Sequence, residues 1–245
     1  MMADILTVAW KEWLEFRDQL LRLKRGGLSA LIVVILLGII TPLQMGPLWN
    51  KSPLMLAYWP LLSSGMVSTL IADAFAGERE RHTLESLLAT RLPDASILLG
   101  KMLAAVIYGL VFTSANIIVG VITLSIRHWN EGLQIPPIAH FGYMLLLVIL
   151  ACSTMAGVGV FISLKAGTVR QAQQTLGIIM MTLFIGPVLV FQFLDSEGRL
   201  SLAATLTSLG TARIVMWASG ILLAVSVILI VMGLGRFKRG KLTLD

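Results

Sequence analysis

The chain has 245 residues, 57% of them hydrophobic and only 13% charged, with a formal net charge of +6 at pH 7. A mean hydropathy of +0.88 lies far above what a water-soluble core of this length requires, so the composition excludes an ordinary soluble domain and predicts an integral membrane protein. The apolar runs are long and unbroken rather than alternating, which excludes a β-barrel and predicts an all-α fold.

Residues 1–27 open the chain. Over 4–25, Ile5, Leu6, Ala9, Trp10, Trp13, Leu14, Phe16, Leu20 and Leu21 gather on one side of a helix, while Asp4, Lys11, Glu15, Asp18 and Arg22 gather on the other. The pattern predicts an amphipathic helix lying on the inner leaflet, with Trp10 and Trp13 at headgroup depth and Gly26-Gly27 as the corner into the bilayer. A helix docked on a partner protein is the alternative with the same pattern. The apolar run after it starts only at Leu28 and has no small-residue cleavage site following it, so it reads as a retained span and not as a signal peptide.

A hydrocarbon core of about 30 Å takes about 20 helical residues to cross. Six segments are read as spans on that scale: 28–45, 54–76, 97–126, 141–164, 176–194 and 214–234, the whole forming one transmembrane domain over 1–245. Of the nineteen basic residues, all but Lys51, Arg127, Arg199 and Arg213 fall on one side of this arrangement. The positive-inside rule then puts both termini and the tail 236–245 in the cytoplasm; a prokaryotic inner membrane is the expected location. The positive charge is accounted for by topology and anionic lipid headgroups, and no nucleic-acid partner is expected.

The outward loops are short. Gly46, Pro47 and Pro53 break the first, and Gly132 with Pro136-Pro137 the second. The third, 195–211, begins with Asp195, Ser196 and Glu197 and then turns apolar, a pattern that suits a half-inserted helix or a surface helix equally. Within the spans the polar inventory is thin: Thr113, Asn116, Ser153, Thr154 and Gln192 are the candidates for lining a pathway, with interhelical hydrogen bonding as their competing role. Asp73 and Lys101 sit near cytoplasmic span ends, where they can pair or snorkel. Gly186-Pro187 is expected to kink the fifth span.

Catalytic patterns are missing. His82, His128 and His140 have no metal-ligand spacing, there is no HExxH, no histidine follows Ser219-Gly220, and no GxxxxGK[ST] loop is present to cradle a nucleotide. Cys152 lies inside a span as the single cysteine, so no intrachain disulfide forms. The expectation is a chain with no catalytic, cofactor or metal site, hence no enzyme in its own right.

The most distinctive stretch is 71–101, IADAFAGERERHTLESLLATRLPDASILLGK. After Gly77 come Glu78, Arg79, Glu80 and Arg81 in succession, and then Leu84, Leu87, Leu88 and Leu92 at helical spacing, which predicts a short helix over 77–92 with one greasy face. The string from Phe75 to Thr90, followed by Ile97-Leu98-Leu99-Gly100-Lys101, resembles the signature of permease subunits of type-2 ABC exporters. The N-terminal amphipathic helix and the six spans resemble the layout of that family as well. His82 departs from it, standing where the family commonly has glycine, and so bears on the local bend.

The resemblance implies an elbow helix over 1–27 and a coupling helix over 77–92 that docks on a separate ATPase. It implies coupling residues Glu78, Arg79, Glu80, Arg81, Thr83, Leu84, Glu85, Leu87 and Leu88. ATP and Mg would be bound by the partner, present as two ABC ATPase subunits, and the permease would pair with a second copy or a related permease; an accessory subunit is compatible with the short outer loops. Membrane lipid is the remaining partner. The family's cargoes are diverse, and the spans do not choose among them. Two competitors come from other classes: an ABC-linked sensor or scaffold, which would bind the ATPase without flux, and a secondary transporter, which would need an ion gradient and no ATPase. Sparse mid-membrane ionisable residues disfavour the second.

Overall fold

The computed structural model describes residues 1–21, 27–52, 55–83 and 91–237, and among these every regular element is a helix. In chain order they are α1 (Met2–Leu21), α2 (Gly27–Ile35) running through a π turn (Leu36–Ile40) into α3 (Thr41–Met45), then α4 (Leu48–Lys51), α5 (Met55–Glu80), α6 (Asp94–Arg127), a 3₁₀ turn (Trp129–Glu131), α7 (Ile138–Lys165), α8 (Val169–Phe193) and α9 (Ser196–Arg236). Four stretches of described helix are long and apolar enough to cross a bilayer: Met55–Glu80, Asp94–Arg127, Ile138–Lys165 and Ser208–Arg236. The chain is therefore a multi-pass, all-helical membrane protein.

Local chemistry sets several helix ends. The π turn directly precedes Pro42, whose missing N–H interrupts the normal ladder, and Thr41 N–H reaches five residues back to Leu36 O. α6 starts behind an extended Pro93 whose carbonyl accepts from Ser96 and Ile97 N–H, with Asp94 in its first turn. Thr168 caps α8 by accepting from Gln171 N–H, and Asp195 caps α9 by accepting from Gly198 N–H.

α5 is the central element. It lies against α7 over most of its length and also touches α6 and α8, while α7 continues to α9 and α1 lies along α6. Its face Val67, Ile71, Ala72, Phe75 and Ala76 is fully buried with Cys152, Met155, Ala156 and Val160 of α7. Towards the α4 end, Trp49 and Trp59 meet edge-on at 5.9 Å. Large apolar side chains on α8 and α9, among them Ile178, Met181, Met216, Trp217, Ile221 and Val231, are exposed within this single chain. Such a surface suits lipid or a second subunit and not water.

Three expectations are refined. Residues 77–80 do not begin a separate helix, because α5 continues without a break to Glu80; residues 84–90 of the expected coupling helix lie outside the described residues. Residues 196–209 are helical and joined to the last span through Gly210, where φ is 71° and the chain bends. α8 runs from Val169, earlier than the expected span start, and contains Pro187 inside continuous helix.

Candidate functional site at the junction of α5 and α6

α5 ends in a six-residue hydrogen-bonded stop. Thr83 N–H donates to Glu78 O at 2.8 Å and His82 N–H to Arg79 O at 3.1 Å, with His82 at φ 56°. This is the Schellman arrangement, in which the residue after the cap takes the left-handed conformation that glycine adopts without cost. His82 occupies that position, which is where the sequence departed from its glycine pattern. The bend exists, and it is made with a residue that is strained by it.

Each of the four charges before this stop is engaged inside the chain. Arg81 reaches back along α5 to Asp73 at 2.6 Å and also donates to Gly77 O; a Cβ on Gly77 would lie on top of both partners, so the pair requires the bare backbone there. Glu80 accepts from Val169 N–H at the start of α8 at 3.2 Å. Arg79 donates to Leu164 O and Ala166 O at 2.7 and 3.0 Å, placing a cation on the carbonyl end of α7. Glu78 is buried and accepts from Lys101 Nζ at 2.8 Å. One turn earlier, Ser163 of α7 inserts into the α5 ladder, accepting from Phe75 and Ala76 N–H and donating to Ala72 O.

Lys101 is the hub of the junction. Its side chain is 1% exposed, and its three N–H donors are filled by Glu12 (2.9 Å), Glu78 (2.8 Å) and Ala74 O (2.9 Å). The ring of Phe75 lies 5.4 Å beneath the ammonium, and Phe75 in turn meets the buried Phe237. Lys11 stands 3.7 Å from Glu78 and 3.0 Å from Glu15, so the cluster Lys11, Glu12, Glu78 and Lys101 balances its charges. Burial opposes the charge on Lys11, yet Glu12 first and then Glu15 and Glu78 hold its ammonium above the ordinary lysine value. The hydrogen bond to Asp73 likewise holds Arg81 above the ordinary guanidinium value, against partial burial. α1 is pressed onto this site by Val8, whose side chain occupies the space a Cβ on Gly100 would need, and by Phe16 against Tyr108 at 4.1 Å.

The junction thus ties α1, α6, α7 and α8 to the last turn of α5, directly before the leucine-rich segment. The sequence profile described as ABC-2 type transporter matches residues 4–191, from α1 to within α8. The chain belongs to the ABC-2 type transporter family. No curated protein matches it. As a member of this family it is an ABC permease subunit, and the match contains the whole of the junction.

Within the ABC-2 permease the expected site residues separate into two groups. Glu78, Arg79, Glu80, Arg81 and Thr83 converge at the end of α5, while Leu84, Glu85, Leu87 and Leu88 lie outside the described residues. Glu12, Lys11, Lys101 and Ser163 belong to the site without having been assigned to it. A lone lysine in a 34-residue apolar helix was the available signal for Lys101; Glu12 and Ser163 carried none, because their importance lies in which distant helix they meet. Asp73 and Lys101 do not pair with each other: Asp73 takes Arg81 and Lys101 takes the two glutamates.

The candidate pathway residues of the permease do not form one constellation. Thr113 bonds to Ser63 across the α5–α6 contact and to Gly109 O. Thr154 reaches Leu150 O and, across to α9, Leu222 O. Ser153 bonds to Ile149 O on its own helix, and Gln192 is exposed near the end of α8. Asn116 is fully buried and donates to Phe112 O, leaving its Oδ1 without a partner among the described residues.

Proposed function

We propose that the chain is the permease subunit of an ATP-driven exporter, with a pathway built by two permeases and driven by two separate ABC ATPase subunits that bind ATP and Mg. The observation that carries this reading is the Lys101 cluster. It joins the elbow helix, the end of α5 and the start of α6 on either side of residues 81–93, so a displacement of that segment is delivered to three helices at once. The motor contact falls to the segment itself, with Leu84, Leu87 and Leu88 as its apolar face, because Glu78 to Arg81 are occupied inside the permease. Glu80 and Arg81, both exposed, retain acceptor or donor capacity for a motor subunit.

In this reading the continuous run 27–45 and α8 join the four long helices to give six spans. The basic residues that cluster at the junction end support cytoplasmic termini in a prokaryotic inner membrane. The absence of a phosphate-binding loop from the sequence supports hydrolysis on the partner.

Co-reconstitution with the cognate ATPase in vesicles tests the proposal. The permease alone should be inert to ATP, and the complex should hydrolyse and export. Leu87→Asp should leave membrane insertion intact and weaken ATPase co-purification, since a charge placed in a desolvated contact costs several kcal/mol. Normal assembly and normal flux in Leu87→Asp would refute the coupling role. ATPase binding without flux in the parent complex would instead favour a sensor or scaffold.

A further inference from the structure

A second polar site lies beside the junction, where the end of α7, the start of α8 and the end of α9 meet. It is an open recess of about 270 Å³ lined by Phe161, Ile162, Lys165, Ala166, Gln171, Thr175 and Arg236. Lys165 and Arg236, both exposed, border it as two cations; among the described residues no carboxylate lines it and neither cation makes an ion pair. At the end of α7, Leu164 O and Ala166 O are already taken by Arg79 and not by Lys165. Glu80, the carboxylate at the start of α8, is engaged at Val169 N–H. Arg236 is held in position from two sides: its guanidinium lies 5.5 Å over the Phe161 ring, and the next residue, Phe237, is buried against Phe75. Gln171 is oriented by accepting from Gly167 N–H through its Oε1, which turns its amide N–H groups to other partners.

We propose that this recess binds the headgroup of a net-anionic phospholipid at the membrane boundary, with Lys165 and Arg236 on the phosphate and Phe161 and Ile162 against the first carbons of the attached chain. Three observations converge on that chemistry. Two cations without an acid define an anion site, and the planar guanidinium matches two phosphate oxygens at once. Both cations are the last residues of helices long enough to span a bilayer, the depth at which lipid phosphates lie. The volume falls just under the roughly 300–1,000 Å³ of pockets that enclose a whole small molecule, so it suits a headgroup whose tail remains outside. The site depends only on α7 and α9 being spans, and not on the coupling of the permease to an ATPase.

The test uses the purified full-length protein, stripped of lipid and titrated with phosphatidylglycerol or with phosphatidylcholine of the same chains, bound lipid being counted by native mass spectrometry. Phosphatidylglycerol should bind more tightly, and Lys165→Gln with Arg236→Gln should weaken it roughly thirtyfold, from about 1 kcal/mol per basic residue at an anionic surface. Phosphatidylcholine binding should be unchanged, Arg236→Lys should keep the charge but lose the two-point contact and so bind between the parent and the double variant, and Arg127→Gln at the far end of α6 should have no effect. Displacement by excess inorganic phosphate would assign the site to the phosphate group itself; resistance to it would assign the site to the intact lipid. Equal binding of the two lipids, or undiminished phosphatidylglycerol binding by the double variant, would overturn the proposal. Loss of ATPase coupling elsewhere in the complex leaves this readout untouched.

Discussion

The two ends of the α5–α6 pair are held by different forces. At the junction end, Lys101, Glu12, Glu78 and Ala74 O meet at 2.8–2.9 Å in a nearly dry setting. At the other end Trp49 lies where a Cβ on Gly120 would have to go, and Trp59, Met55, Leu56, Ile117 and Met144 close around a small cavity of about 30 Å³. The indole Nε1 of Trp49 and Nδ1 of His140 are buried there without a partner among the described residues. Charge-assisted bonds are directional and accept one arrangement, whereas apolar contacts tolerate sliding at nearly constant burial. The same helices are therefore indexed at the junction and merely filled at the far end. A movement imposed on residues 81–93 has rigid purchase at the first and room to be accommodated at the second.

The contrast is most severely tested by Lys101→Met. Removing the cation leaves the buried Glu78 and the half-buried Glu12 with only Lys11 as a counter-charge, and the loss should be up to about 3 kcal/mol, read as a drop in thermal midpoint and in folded yield in detergent. Adding Glu12→Gln and Glu78→Gln to Lys101→Met should recover much of the loss, because neutral side chains need no counter-charge. If the single variant is as stable as the parent, the junction is not indexed by charge.

Trp49→Phe probes the apolar end. It should cost about 1–2 kcal/mol, within the usual range for a core substitution, and the cost should not change with salt. It removes one unpartnered N–H together with apolar volume, so a loss as large as that of Lys101→Met would erase the distinction between the ends.

His82→Gly should act in the opposite direction. Relief of the left-handed strain should stabilise the chain by about 1–2 kcal/mol, offset in part by the entropy that glycine gains when unfolded. A higher thermal midpoint with unchanged ATPase stimulation would mark His82 as a strained stop and nothing more. A higher midpoint with lower stimulation would show that the strain contributes to coupling.

The smallest effect is expected at the exposed Asp73–Arg81 pair and at Lys11. Asp73→Asn should cost about 0.2–1 kcal/mol and fade with added salt. Because the folded-state pKa of Lys11 is raised, its contribution is fully present below the ordinary lysine value and is lost only as pH rises through the higher folded value. Stability should therefore not vary on account of Lys11 between neutral pH and about pH 9. A titration of stability in that window that Lys11→Met abolishes would contradict this assignment.

The sequence by itself determined the membrane class, the helical fold and a helix over the first residues, because each rests on period or hydropathy. The histidine at position 82, where the resembled family commonly has glycine, put the local bend in question, and the structure makes the bend with His82 at φ 56°. Only the tertiary structure decided what the charged run does. Glu78, Arg79 and Glu80 look alike in sequence as solvated charges, yet one receives Lys101, one closes the end of α7 and one caps α8. Those partners lie 23 to 89 residues away, and no local pattern specifies which helix stands opposite which face. The pairing of Lys101 with Glu12 was hidden for the same reason. The energy of a buried charge depends on the few ångströms around it, and those are set by how the helices cross.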